Sequence, residues 1–126
     1  MLYITEIIGT IFCLLSVTFG AFVSHKLKNK LTNSEIQSFE VGVRYLMYHG
    51  LALLFISQLY LDITKWIVIF ISIGTLLFSF SIFFLSIQNL LNKNLKIIGP
   101  LTPLGGLFII VGWVLLIIEF LSPYLN

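Results

Sequence analysis

Four long apolar stretches separated by short polar connections dominate the chain, at positions 2–23, 45–61, 66–87 and 98–121. Each has roughly the 17 to 25 residues that a helix rising about 1.5 Å per residue needs to cross about 30 Å of hydrocarbon. The pattern predicts an all-α integral membrane protein, a four-helix transmembrane bundle forming one domain over residues 1–126. The first stretch has no Lys or Arg before it, is too long for the apolar region of a secretory signal and lacks a small-residue cleavage site. It reads as a retained span.

The polar connections add detail. Thr32-Asn33-Ser34-Glu35 matches the capping box that satisfies free backbone N–H groups at a helix start. Ile36, Phe39, Val43 and Met47 follow at helical spacing, and Glu40 and Arg44 stand one turn apart in the favourable order for an ion pair. These residues predict a short cytoplasmic interfacial helix at about 33–44, continuous with the second span or bent near Gly42. The tight connection at 62–65 makes spans two and three an antiparallel hairpin. At the start of span four, Thr102 suits the N-cap, Pro103 the first helical position, and Gly105 and Gly106 allow close backbone approach.

Composition excludes a water-soluble domain: 59% of the 126 residues are hydrophobic and 10% charged, against about 25% charged in ordinary globular proteins. The mean hydropathy is +1.08. The net charge of +2 implies no nucleic-acid partner, because the basic residues flank spans instead of forming a face. Lys26, Lys28, Lys30 and Arg44 lie in the first connection and Lys93 and Lys96 in the third, against Lys65 in the second. The positive-inside rule then predicts a cell-membrane protein with connections one and three cytoplasmic and both termini outside. Trp66 and Tyr60 fit an aromatic belt at the outer boundary. The single cysteine, Cys13, lies in span one and cannot form an intramolecular disulfide.

In lipid, helices associate through small residues and interhelical hydrogen bonds. Such residues form stripes here: Gly9, Cys13, Ser16 and Gly20 in span one; Ser72, Thr75, Ser79 and Ser86 in span three; Gly105, Gly112 and Glu119 in span four. They predict packing seams, within the bundle or toward a second copy or a membrane-protein partner. The remaining polar residues, His25, Glu40, Arg44, Tyr45, His49, Ser79, Ser81 and Thr102, gather toward the predicted cytoplasmic end and form the candidate functional cluster. The start of span four, near Lys93 and Lys96, offers an N-terminal dipole to a lipid phosphate.

Three functional classes follow. A non-enzymatic bundle that packs with itself or with a larger complex needs only the seams. A small transporter would use Glu6 and Glu119 at one end and His25 and His49 at the other, although no span has a charge at its middle. Lipid, haem or metal binding would use the His/Tyr/Arg cluster, with His25 and His49 as axial ligands. No Cys pair, H-E-x-x-H motif or Ser-His-acid spacing is present, so the sequence predicts no enzyme activity, catalytic residue, cofactor or metal site.

Gly20-Ala21-Phe22 with His25 and Leu27, the Phe39, Tyr45, His49 spacing, Leu77-Phe78-Ser79 with Ser81, and Thr102-Pro103-Leu104-Gly105-Gly106 leading to Gly112-Trp113 together resemble the YgdD-like family of small four-span membrane proteins. That family, also called transmembrane protein 256-like, is a domain-of-unknown-function family. The resemblance covers nearly the whole chain and implies the fold and a bacterial plasma-membrane home, with no established activity. Val23-Ser24 stands where the family commonly has Gly-Ala, and Phe80 where it commonly has Gly. Larger residues there argue against tight backbone contacts at those two points.

Overall fold

The computed structural model describes residues 2–59, 61 and 63–125. They form helices α1 (Leu2–His25), α2 (Asn33–Ile56), α3 (Thr64–Ile87) and α4 (Leu101–Leu125), with a short 3-10 turn at Lys96–Ile98 before the last. All four helices are long and apolar enough to cross a membrane. Tyr60 and Asp62 lie outside the described residues.

Helices adjacent in sequence are adjacent in space: α1 packs on α2, α2 on α3 and α3 on α4. The central position of α3 shows in its burial, half of its most apolar window against 22% for α1 and α4. That explains the hydroxyls along α3. A hydroxyl facing lipid can bond only a carbonyl of its own helix, as exposed Thr18 does with Leu14, whereas one facing another helix can also reach a carbonyl there.

The interfacial segment and the second span are one continuous helix. Its start is the predicted capping box: Thr32 N–H donates to Glu35 Oε1 at 3.0 Å and Glu35 N–H to Thr32 Oγ1 at 3.1 Å. Glu40 and Arg44 share a face but form no ion pair among the described residues; Arg44 is exposed, where such pairs contribute little. The helix closes at Ile56, short of the apolar stretch's end at Leu61, in a tighter turn in which Gln58 and Leu59 N–H donate to the Phe55 and Ile56 carbonyls.

Two glycine pairs set the helix spacing. A Cβ on Gly9 would meet the Gly50 carbonyl oxygen at 2.8 Å, and one on Gly50 the Gly9 oxygen at 2.8 Å, so α1 and α2 cross backbone against backbone. Gly74 and Gly105 do the same for α3 and α4, at 2.8 and 2.7 Å from each other's carbonyl oxygens. Of the other predicted small positions, Gly112 faces Ile71 and Gly20 faces Val43, while Gly106 has only the Phe78 ring at 3.8 Å and is open.

Span four opens differently from the sequence expectation. Thr102 is not its N-cap: the helix starts at Leu101, and the Pro100 carbonyl accepts the first helical bond from Leu104 N–H. Pro103 is therefore third rather than first, still within the turn whose N–H groups have no intrahelical acceptor. The Lys96–Ile98 turn leads through Gly99 into the helix, and the Gly99 carbonyl accepts the Thr102 N–H, so a backbone group satisfies it in place of a side-chain cap.

Of the larger residues noted at Val23-Ser24 and Phe80, Val23 and Phe80 pack into or against the core while Ser24 is exposed. Val23 is buried. Phe80 packs edge-on against Phe19 at 6.0 Å and Phe83 at 5.5 Å, in a cluster that Phe39 completes.

Candidate functional site

The predicted cluster divides in two. His49, Tyr45, Ser79, Ser81 and Thr102 are drawn inward, whereas His25, the last residue of α1, and Arg44 are exposed, and Glu40 is half-buried. The two histidines therefore do not share a site.

His49 is the centre of the inner group and is 4% exposed. Its Nδ1 lies 2.8 Å from the Tyr45 carbonyl oxygen, an acceptor, so Nδ1 holds the proton. Its Nε2 lies 3.1 Å from Trp113 Nε1, which is a donor only, so Nε2 presents its lone pair. The ring is thereby fixed as one neutral tautomer tying α2 to α4. Tyr45 stacks on His49 at 5.7 Å and on Phe78 of α3 at 4.4 Å. Together with Tyr48, Gly106, Ile109, Ile110 and Trp113 these residues line a cleft of about 410 Å³. Tyr48, Ile110 and Trp113 are exposed, so the cleft opens sideways, at the level where lipid would stand.

Three hydroxyl bonds join one helix to another. Ser16 Oγ donates to the Val43 carbonyl at 2.7 Å, joining α1 and α2, and Ser79 Oγ to the Gly42 carbonyl at 2.8 Å, joining α3 and α2. Ser81 Oγ donates to the Phe78 carbonyl at 3.0 Å, which leaves the Thr102 hydroxyl to donate to Ser81 across 2.6 Å, joining α4 and α3. Ser72, Thr75 and Ser86 are buried without a hydroxyl partner. At the opposite end, Gln58 Nε2 donates to Glu6 Oε1 at 3.1 Å.

This arrangement limits the chemistry. A metal or haem iron at His49 would have to displace the Trp113 N–H from the lone pair on Nε2, and His25 is not placed to supply a second ligand. Among the described residues no group of three or more His, Cys, Asp or Glu comes together. The ring nitrogens of His49 are taken by the Tyr45 carbonyl and the Trp113 indole, neither of which is a nucleophilic hydroxyl or thiol. Sequence reasoning missed Trp113 as its partner, although an indole N–H inside a span needs an acceptor and His49 was a polar side chain in a neighbouring span.

Fold and interior together define a multi-pass membrane protein with four candidate spans and a hydrogen-bonded polar core. The chain belongs to the DUF423 family, described as a protein of unknown function, which matches residues 19–106. It is 35% identical over 118 residues to a UPF0382 membrane protein of Staphylococcus saprophyticus, covering 89% of this chain and 92% of that one. It is 32% identical over 120 residues to the UPF0382 membrane protein YwdK of Bacillus subtilis, covering 89% and 91%. No solved structure shows significant similarity to it.

Proposed function

We propose that this protein is a non-enzymatic bundle of the plasma membrane, of the YgdD-like kind, that works by packing laterally with itself or with a larger membrane complex. The observation that supports this reading is the use of the interior: the polar groups bridging helices are spent on one another, and His49 has both ring nitrogens engaged. A proton or ion path needs ionisable groups free to exchange partners along the span. Glu6 instead holds Gln58, and the middles of the spans have no charge. The glycine seams are occupied inside the bundle, so lateral contacts fall to the outward faces of α1 and α4, the least buried helices. The basic connections, with Lys26, Lys28, Lys30, Lys93 and Lys96, face the cytoplasm and both termini face outward.

Cross-linking in native membranes, followed by mass determination in mild detergent, tests the proposal. A dimer or a reproducible larger complex is expected; a monomer with no cross-linked partner would overturn it. In proteoliposomes, flux across a pH gradient is expected to match that of empty liposomes.

A further inference from the structure

A second cavity lies at the end of the bundle bearing the first and third connections. It holds about 370 Å³ between the start of α2, the last turns of α3 and the start of α4, within the size range of small-molecule sites. Ser34, Glu35, Ser38, Ser86, Gly99 and Thr102 supply its polar lining, with Ile82 and Leu85 behind them. Two of its groups lack a hydrogen bond of ordinary geometry. Glu35 uses Oε1 in the capping box, while Oε2 is enclosed without such a bond; the Thr32 backbone N–H holds the carboxyl below its usual pKa, and the Asn89 side chain stands near enough to help. Ser86 is 4% exposed and its Oγ is likewise unpartnered. Buried polar atoms are ordinarily satisfied. Ser72 and Thr75 are also orphaned but line neither this cavity nor the His49 cleft, whereas Glu35 and Ser86 line this one together.

The lining selects a ligand class. One carboxylate among neutral hydroxyls is too few hard ligands for a divalent cation, which takes six or more oxygens and usually several carboxylates. An anion would face the Glu35 charge. A quaternary ammonium has no N–H to give. A primary ammonium has three donors and one positive charge, which match a carboxylate oxygen and surrounding hydroxyls. We propose that this cavity binds a primary ammonium group, carried by an aminophospholipid headgroup or by a small soluble amine. This does not depend on lateral assembly.

Native mass spectrometry of the full chain, released from micelles doped with phosphatidylethanolamine, phosphatidylcholine or phosphatidylglycerol, tests it. Wild type should retain phosphatidylethanolamine about tenfold better than either other lipid, the scale of a hydrogen-bonded ionic contact. Glu35→Gln keeps an oxygen for the Thr32 N–H while removing the charge, and should abolish that preference. Ser86→Ala breaks no existing hydrogen bond and should weaken retention about threefold. Loss of retention on adding free ethanolamine would assign the site to a soluble amine, and its persistence to the lipid headgroup. Equal retention of the three lipids together with no ethanolamine binding, or variants that behave as wild type, would overturn the proposal.

Discussion

Gly105 and Gly106 are neighbours in sequence, yet alanine at each should move stability in opposite directions. At Gly105 the added methyl would overlap the Phe78 backbone nitrogen and lie 2.7 Å from the Gly74 oxygen and 2.9 Å from Phe78 Cα. All three are backbone atoms of α3, so no side chain can step aside, and the helices must part by at least about 0.7 Å to restore an ordinary contact of 3.4 Å. The same shift would stretch the 2.6 Å Ser81–Thr102 bond to about 3.3 Å, beyond normal O–H···O range. Overpacking costs about 1 to 3 kcal/mol, and the backbone contact places Gly105→Ala at the upper end. Less the ~1 kcal/mol that alanine gains over glycine in a helix, about 2 kcal/mol of destabilisation remains. At Gly106 the methyl would meet the Phe78 ring at 3.8 Å, an ordinary contact, so the propensity gain of up to ~1 kcal/mol should stand alone. Equilibrium unfolding in mixed micelles, followed by far-ultraviolet circular dichroism, measures both. The reasoning fails if Gly105→Ala is as stable as wild type, or if Gly106→Ala is equally destabilised.

Removing either partner of the His49–Trp113 bond should cost about 1 to 3 kcal/mol by orphaning a buried group, and the His49→Phe/Trp113→Phe double-mutant cycle should show a coupling near 0.6 kcal/mol, typical inside membranes. A cycle with zero coupling would mean that the bond is not formed. Thr32→Ala should lower stability by about 1 kcal/mol and fray the start of α2, read as faster amide exchange near residues 33–36 with the rest of the helix protected. Gly50→Ala should loosen the α1–α2 crossing and raise the maleimide reactivity of Cys13, whose Sγ would lie 2.8 Å from the new methyl; unchanged labelling would argue against the crossing.

What the sequence disclosed depended on whether the cause was local. The spans follow from apolar length alone, and the start of α2 follows from four consecutive residues whose groups satisfy one another. Ser79 and Ser16 were legible as seam residues because a stripe of small side chains records which face turns inward. Their acceptors were not, since each is a backbone carbonyl on another helix and carbonyls leave no mark in sequence. Gly50 and Gly74 passed unremarked for a related reason: an isolated glycine in an apolar run signals nothing until its opposite number is known. The Thr102 cap failed because the Gly99 and Pro100 carbonyls, not a side chain, accept the first N–H groups, and a helix start can be satisfied either way. The His49 partner stands 64 residues away, and nothing in periodicity selects Trp113 among the aromatic residues of α4.

The packing order has a consequence for how the protein holds together. The first two helices lock through Gly9 and Gly50 and the last two through Gly74 and Gly105, so each half of the chain is a hairpin that buries its own seam on insertion. The Trp113 indole N–H meets its acceptor on His49, and the Ser79 hydroxyl the Gly42 carbonyl, only across the divide between the two halves. Dry lipid offers no substitute for water, so the two halves are drawn together by the groups each cannot satisfy alone. The polar core is thus the latch between two glycine-locked halves.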